Sequence, residues 1–329
     1  MCPRGRERIP DQALSLRSNR REQAAVSLQV AVLVPCFNES KTIASVVRKF
    51  RLAMPSAAIY VYNNNSTDET VAIAKDAGAI VRSEERQGKG HVVRRMFADI
   101  QADCYVMVDG DDTYDPDAAP QAAALIREGV DFVNIARIDA DISAYRRGHK
   151  LGNAMLTGIV RVFFGRQVSD MLSGYKVLSR RFVKSFPAMS RGFETETELT
   201  VHALEMRMPM AELSAPYRER PQGSVSKLRT YRDGWRILML ISRLIKEERP
   251  FAFFSMLAAV LVAIGLTLGI SVVIEFLKTG LVPRLPTAVL SLGFIVLSAL
   301  SMLAGIILDV VTKARQELKR LIYLSVPCR

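Results

Sequence analysis

The amino-acid sequence predicts an α/β fold with a mainly parallel sheet and helices on both faces, plus interfacial helices and a C-terminal two-helix transmembrane hairpin. Three observations predict this arrangement. Short apolar runs alternate with helix-like segments between residues 28 and 133. Polar clusters follow the apolar runs. Two long runs near the C-terminus carry no charged residue.

The alternation defines the elements of the sheet. Strands are predicted at residues 28–34, 58–62, 79–81, 104–108 and 131–136. Helices are predicted at residues 40–53, 69–77, 91–100 and 117–128. Such alternation is typical of a parallel sheet, in which ligands bind beyond the carboxyl ends of the strands. The sequence holds neither a Gly-x-Gly-x-x-Gly fingerprint nor a P-loop, so an ordinary dinucleotide-binding domain is not expected.

Polar segments follow the first three predicted strands at residues 35–40, 63–68 and 87–90. Any one of them also fits an ordinary turn. Because the carboxyl ends of parallel strands share one edge of a sheet, the segments together predict a binding site. Lys89 stands between two glycines that allow close backbone approach, which makes it a candidate ligand for a diphosphate.

An acidic cluster follows the fourth predicted strand. Asp109, Asp111 and Asp112 lie within four positions, and carboxylates this close need a compensating charge. Mg²⁺ or Mn²⁺, bound by one or two carboxylates together with a substrate phosphate, would provide it. A solvated turn remains an alternative. A calcium loop fits less well, because Tyr114 occupies the position of the turn glycine and no glutamate closes the loop.

Two uncharged runs, at residues 251–274 and 285–308, are each long enough to cross a hydrocarbon core of about 30 Å. A pair of buried core helices is the alternative. Basic residues flank both outer ends, which places both ends in the cytoplasm. The expected organisation is a disordered basic arm at 1–27, a cytoplasmic domain at 28–230, an interfacial amphipathic helix at 231–250, the transmembrane hairpin at 251–309 and a cytoplasmic basic tail at 310–329.

The formal net charge of +12 fits a protein that lies against anionic lipid and handles phosphorylated substrates. Nucleic acid is not expected as a partner, because the basic residues cluster beside the apolar runs without interleaved aromatic residues. The four cysteines are scattered, with no spacing for zinc or redox chemistry, and are expected to be reduced thiols. The sequence leaves a homo-oligomer open.

Five motifs in this order carry a resemblance to a known family. They are Val34-Pro35-Cys36-Phe37-Asn38-Glu39, Asn65-Ser66-Thr67-Asp68, Gly88-Lys89-Gly90, Asp109-Gly110-Asp111 and Ser173-Gly174-Tyr175-Lys176. As a set, they resemble family-2 glycosyltransferases of the GT-A fold, and most closely the membrane-bound polyprenyl-phosphate glycosyltransferases. The resemblance covers residues 28 to about 245, and the two uncharged runs match the bacterial members.

The resemblance implies a role for each matching residue. Pro35, Asn38 and Glu39 would hold the nucleoside, with Asn63 and Asp68 near the base and Lys89 on the diphosphate. Asp109 and Asp111 would match the DxD motif and bind Mg²⁺ or Mn²⁺ together with Thr113, and Asp112 would face away from the metal. The lipid phosphate would be received by Arg137, Arg147 and Lys150.

Two departures from the family affect this assignment. Many relatives have Asp where this chain has Asn63, and the amide leaves the choice between uracil and guanine open. Many relatives also have Tyr where Phe37 stands, so a hydroxyl is lost.

Three later segments complete the predicted site. Asp170 and Ser173 belong to a small-residue segment expected in the cleft, where Asp170 would orient the sugar or the acceptor. The Glu-rich run at 192–198 is expected there too, unless it is a solvated strand edge or helix start. Arg220 and Lys227 lie in a basic Gly- and Ser-containing segment that either closes over the diphosphate or is a plain surface loop.

The helix predicted at 153–165 either lies in the membrane interface or packs on the sheet.

The expected function is inverting transfer of one hexose-type sugar from a nucleotide-diphosphate sugar to a polyprenyl phosphate at the cytoplasmic membrane face. A phosphate monoester has a second pKa of about 6, so it can attack without a dedicated base. A processive polysaccharide synthase is disfavoured, because Trp235 fits no Gln-x-x-Arg-Trp motif. A non-catalytic membrane protein that binds nucleotide sugars or scaffolds a glycan pathway remains the alternative from another class.

Overall fold

A computed structural model describes residues 28–139, 147–165, 167–221 and 230–327 of the chain. The strands are β1 Val30–Cys36, β2 Ala58–Asn63, β3 Ile80–Ser83, β4 Cys104–Met107, β5 Phe132–Asp139, β6 Lys176–Ser179 and β7 Met210–Tyr217. The first helices are α1 Ile43–Ala53, α2 Thr70–Asp76, α3 Lys89–Asp99, α4 Ala118–Arg127 and α5 Arg147–Phe164. The later helices are α6 Arg180–Ser185, α7 Thr195–Glu205, α8 Thr230–Glu248, α9 Pro250–Thr279 and α10 Leu285–Ser325.

The seven strands form one sheet in the order β3-β2-β1-β4-β6-β5-β7. The pairs β1 with β2, β1 with β4, β2 with β3 and β5 with β7 are parallel. Strand β6 lies antiparallel between β4 and β5, so β4 and β5 point the same way. The five strands predicted from the sequence are all present, whereas β6 and β7 were not predicted.

Both faces of the sheet are covered, which confirms the predicted α/β class. One apolar cluster joins Val32, Val34 and Val106 to α1 and α4. The other joins Leu33 and Met107, which alternate with them along the same strands, to α3, α6 and α7. Side chains point to opposite faces at successive strand positions, so short all-apolar strands such as β4 supply both cores.

Helices α9 and α10 pack against each other as an antiparallel pair along a seam of small residues. The buried positions of α10 recur every seven residues at Ser291, Ser298, Gly305 and Thr312. The Ser291 hydroxyl donates to the Gly265 carbonyl at 2.8 Å, and a Cβ on Gly305 would lie 2.9 Å from the Cβ of Phe254. Small residues let the two backbones approach closely.

The hydrophobic windows of these two helices are only 17% and 11% buried, at mean hydropathies of 2.7 and 2.5. A core helix of a soluble domain would be mostly covered, so the alternative of buried core helices is disfavoured. The two helices suggest anchoring in a membrane.

The last turns of α10 return to the sheet domain. The Tyr323 hydroxyl donates to Asp131 at 2.5 Å, and Arg320 donates to the Met206 carbonyl at 2.7 Å. Lys319 bridges Glu205 and Glu248 at 3.0–3.1 Å. These contacts tie the apolar pair of helices to the sheet domain through α7 and α8.

Candidate active site

The site lies at the edge of the sheet where β1, β2, β4, β5 and β7 end, because parallel strands deliver their carboxyl ends to the same rim. Strand β6 runs the opposite way, so its beginning is at this rim. The segment from Asp170 to Tyr175, which precedes β6, therefore meets the acidic cluster that follows β4. The two segments are in contact: the Gly174 backbone N–H donates to the Tyr114 hydroxyl at 2.8 Å.

Asp111 is the most buried carboxylate of the acidic cluster, at 3% exposure. Its Oδ1 accepts from the Thr113 hydroxyl at 2.6 Å, and its Oδ2 accepts from Arg220 at 2.6 Å. Burial and the neighbouring Asp109 raise the pKa of Asp111, and Arg220 opposes them. Asp112 has a φ of 61° and turns away to Lys49, with a nitrogen–oxygen distance of 2.7 Å.

Lys89 is the first residue of α3 and is held by two carboxylates, Asp109 and Glu196. Burial alone would lower the pKa of Lys89, but the two carboxylates outweigh burial and raise it, so the side chain is a fixed cation. Glycines on either side allow this placement. A Cβ on Gly88 or Gly90 would lie 2.2 Å from the carbonyl oxygen of Arg191 or Ser190.

The residues at the rim fit a hard divalent cation. Asp109 and Asp111 offer carboxylate oxygens, and the missing side chain of Gly174 leaves room beside Asp109, since a Cβ there would be 2.2 Å from Oδ2. In the described part of the chain, no group of three or more His, Cys, Asp or Glu side chains converges on one point. A cation with so few protein ligands would be completed by substrate phosphate oxygens, as is usual for Mg²⁺.

The residues predicted near the nucleoside base form a bonded pair of loops. Asn38, with a φ of 52°, accepts from the Thr67 backbone N–H at 2.8 Å, and Asn63 accepts from Ser66 at 3.0 Å. Asp68 accepts from the Ser40 backbone N–H at 3.2 Å. These side chains shape the loops after β1 and β2.

Pro35 and Glu39 line the cavity described below. Glu39 lies in the turn before α1. Its carbonyl accepts from the Ile43 backbone N–H at 3.0 Å, and its carboxylate lies 3.9 Å from Arg220.

Arg137, near the end of β5, forms a two-pronged ion pair with Asp170 at 2.6 and 2.8 Å. Asn153 of α5 donates to the same carboxylate at 2.9 Å, and the guanidinium lies over the Tyr217 ring, 5.4 Å from its centroid. Burial would raise the pKa of Asp170, but the Arg137 hydrogen bonds and charge outweigh burial and lower it. Asp170 thus fixes the orientation of Arg137.

Three predicted substrate residues lie at or beyond the limits of the described structure. Arg147 and Lys150 belong to the first turn of α5, and their side chains are outside the described residues. Lys227 lies in residues 222–229, also outside them.

Ser173 is fully buried and donates to the Ile135 carbonyl at 2.6 Å, so the structure uses its hydroxyl to shape the turn before β6.

A cavity of about 2140 Å³ begins at the carboxylates and continues to the base of α10. At one end it is lined by Lys89, Asp109 and Asp111, and at the other by Arg315 and Lys319. Between the two ends, apolar side chains come from α5, the segment before β6, the segment before α7, α7 and α8. These include Leu156, Leu172, Phe186, Val201, Leu240 and Leu244. A single cavity therefore joins the polar rim, past apolar side chains, to the charged cluster near the C-terminal end of α10.

Sequence reasoning missed two residues of the site. Glu196 pairs with Lys89. In the sequence it belonged to a Glu-rich run that could also be a solvated strand edge or helix start, and the alternation Glu-Thr-Glu-Thr-Glu did not single out one glutamate. Asn64 accepts from the Gly88 backbone N–H at 2.7 Å and donates to the carbonyls of Glu84 and Arg86 at 2.9 and 2.8 Å. In the sequence, Asn64 was indicated by its position in the Asn-rich turn at residues 63–65.

Known proteins resemble the chain over this same region. The chain is 31% identical to the glycosyltransferase AglJ of Haloferax volcanii over 295 residues. This alignment covers 89% of this chain and 97% of AglJ. It is 28% identical over 220 residues to a dolichyl-phosphate hexose transferase of the same organism, covering 67% of this chain and 95% of the relative.

A solved structure of glucosyl-3-phosphoglycerate synthase from Mycobacterium tuberculosis, in complex with Mn²⁺ and uridine-diphosphate-glucose, has a similar fold. The TM-score is 0.55 and the sequence identity 24%, over 68% of this chain and 82% of that protein.

The sequence profile of glycosyl transferase family 2 matches residues 31–186, which span β1 to α6 and include the DxD carboxylates and Lys89. Together with the similarity to AglJ over nearly the full length of both chains, this match shows that the protein belongs to glycosyl transferase family 2.

Proposed function

We propose that the protein transfers a single sugar from a nucleotide-diphosphate sugar to a polyprenyl phosphate, with inversion, at the cytoplasmic face of a membrane. The cavity that runs from the DxD carboxylates to the base of α10 carries this proposal. A lipid acceptor must present its phosphate to a polar site while its chain stays in apolar surroundings. The dolichyl-phosphate hexose transferase among the relatives supports the same class of acceptor.

The donor end of the cavity has the groups that a nucleotide diphosphate needs. Asp109 and Asp111 would hold Mg²⁺ or Mn²⁺ with Thr113 beside them, and the cation would neutralise charge on the departing diphosphate. Among the described residues, Lys89 and Arg220 form ion pairs with these carboxylates. We assign both to the diphosphate, which gains negative charge as the bond to the sugar breaks.

Arg137 is assigned to the acceptor phosphate. Its guanidinium is fixed by Asp170, Asn153 and Tyr217, and it lines the same cavity as the DxD carboxylates. A fixed cation aligns a dianionic acceptor against an anionic donor that would otherwise repel it. The acceptor phosphate is itself the nucleophile, so no side chain is required to remove a proton. In-line attack on the anomeric carbon inverts it.

The test uses purified full-length protein in lipid nanodiscs, Mn²⁺ or Mg²⁺, and a panel of radiolabelled nucleotide sugars with undecaprenyl phosphate. We expect a lipid-extractable labelled product with at least one sugar, and loss of that product in Asp111→Ala. A soluble phosphate acceptor, 3-phosphoglycerate, serves as the control. The proposal fails if Asp111→Ala forms as much lipid product as the parent, or if only the soluble acceptor is glycosylated.

A further inference from the structure

The C-terminal end of α10 carries an apolar face that the described part of the chain leaves exposed. The last uncharged stretch of α10 ends at Asp309, and Gly305 lies beside Pro250 and Phe251 at the beginning of α9. If the hairpin crosses a bilayer as proposed, residues 309–325 project about 24 Å beyond it. The large exposed side chains in this projection are Val310, Val311, Leu318, Leu321, Ile322 and Leu324.

The exposed face follows a strict pattern that begins inside the apolar part of α10. Apolar residues alternate at intervals of three and four, and we call this set the outer seam: Leu297, Leu300, Ala304, Ile307, Val311, Ala314, Leu318 and Leu321. Beyond Asp309, the positions between them are mostly charged or polar, including Lys313, Gln316 and Glu317. An apolar repeat of 3.5 residues is the signature of helices that pair as a coiled coil.

The other face of α10 is already occupied. The α9 contacts at Ser291, Ser298 and Gly305 and the domain contacts at Thr312, Lys319 and Tyr323 lie on one side of the helix. At about 100° per residue, the outer seam lies roughly 130° from these positions. Leu318 is 60% exposed and Leu321 is 63% exposed, so the described residues leave the seam largely uncovered.

We propose that the outer seam binds the outer seam of a second copy of this chain, forming a parallel two-stranded coiled coil around a two-fold axis along α10. A second copy presents the same repeat in the same phase along the whole helix. Helix α9 contacts α10 on the opposite side, at Ser291, Ser298 and Gly305. With the hairpin placed as above, the seam beyond Asp309 lies outside the hydrocarbon core, where lipid chains do not cover it.

The proposal rests on the hairpin placement above but not on the sugar transfer. It is tested by cysteine cross-linking of the full-length protein in membranes. The parent for the scan is Cys2→Ser/Cys328→Ser, since Cys36 and Cys104 are buried. Single cysteines replace the outer-seam residues Val311, Ala314, Leu318 and Leu321, and the control residues Lys313 and Gln316.

We expect a disulfide-linked species of twice the chain mass at the outer-seam positions, at least about five times more abundant than at the two controls. Equal cross-linking at seam and control positions, or no dimer at any position, overturns the proposal. Cross-linking to a protein of another mass, or to the chain's own residues 1–27, overturns it as well.

A second measurement uses no cysteine. Leu318→Lys/Leu321→Lys places four lysines at the pairing surface, and we expect dimerisation to weaken at least about 100-fold, because four leucine side chains lose their partners. Mass photometry of nanodiscs should then show one copy per disc, while Lys313→Ala shows two. If Leu318→Lys/Leu321→Lys dimerises as strongly as the parent protein, the outer seam is not the pairing surface.

Carbonate extraction and lipid glycosylation, measured on the same membranes, separate the possible failures. Absence of glycosylated lipid with intact seam cross-links refutes the proposed function alone. Release of the protein by carbonate refutes the placement of the hairpin, and with it the seam as a surface outside the bilayer.

Discussion

Arg220 lies where a divalent cation is expected to bind, which makes Arg220→Met an informative change. The Arg220 guanidinium lies 2.6 Å from Asp111 Oδ2, and the side chain is 29% exposed. A cation at Asp111 must compete with this arginine. The parent protein should therefore bind Mn²⁺ weakly until a diphosphate draws Arg220 away from the carboxylate.

The distance sets the size of the effect. Charge centres about 4 Å apart interact by about 4 kcal/mol at an effective dielectric constant of 20. Solvent screening and the lost hydration of the pair leave a net of about 1–2 kcal/mol. Removing the guanidinium should tighten Mn²⁺ binding in the absence of nucleotide by about 5- to 30-fold. The same change should weaken binding of a nucleoside diphosphate about tenfold or more, and of a nucleoside monophosphate little.

Electron paramagnetic resonance of free Mn²⁺ measures the first effect, and calorimetry with UDP and UMP measures the second. Arg218→Met is the matched control, because Arg218 is two residues away, 55% exposed and 3.7 Å from Asp115. If Arg220→Met binds Mn²⁺ no more tightly than Arg218→Met, Arg220 does not compete with the metal for Asp111.

Three further changes test other parts of the structure. Gly174→Ala should reduce turnover at least about 100-fold with little loss of folding, because its Cβ would lie 2.2 Å from Asp109 Oδ2; circular dichroism and product formation check this. Tyr323→Phe should lower the unfolding free energy by about 1–3 kcal/mol, since it removes the 2.5 Å hydrogen bond to Asp131; denaturation in detergent measures it. Burial, followed by the nearby Glu248, raises the pKa of Glu205 to about 8. Folded Glu205 therefore keeps its proton up to a higher pH than unfolded Glu205 does. As the pH rises toward 8, the free energy of unfolding falls. Glu205→Gln should be more stable than the parent at pH 8 and similar at pH 5; an equal difference at both pH values contradicts the assignment.

The contacts around the Glu205 and Glu248 pair explain why the proton resides on Glu205. Arg315 donates to Glu248 at 2.7 Å and Lys319 contacts both carboxylates, so Glu248 is the better stabilised anion and Glu205 keeps the proton. This cluster joins α7, α8 and α10, and it forms the far end of the cavity. The link between the two apolar helices and the sheet domain is therefore partly electrostatic.

Much of the sheet could be predicted because its signals are local. The strand before Asp109 is apolar at every position, the segments around it have helical periodicity, and polar clusters mark the strand ends. Strand β6 escaped prediction because its two apolar residues, Val177 and Leu178, lie between Lys176 and Ser179 and form no longer apolar run. Its direction depends on which neighbours it pairs with. Lys176, wholly buried with its Nζ 2.8 Å from Asn134, looked like a surface residue in the sequence.

The sequence by itself determined the α/β class, the acidic pair at the end of β4, Lys89 between its glycines and the two long apolar helices, because each depends on residues close together in the chain. Only the tertiary structure decided which distant groups meet. Glu196 reaches Lys89 from α7, Arg220 reaches Asp111 from the loop after β7, and Asp170 reaches Arg137 because β6 runs antiparallel. The physical reason is that charge pairing and burial depend on distance in space, which sequence spacing does not encode.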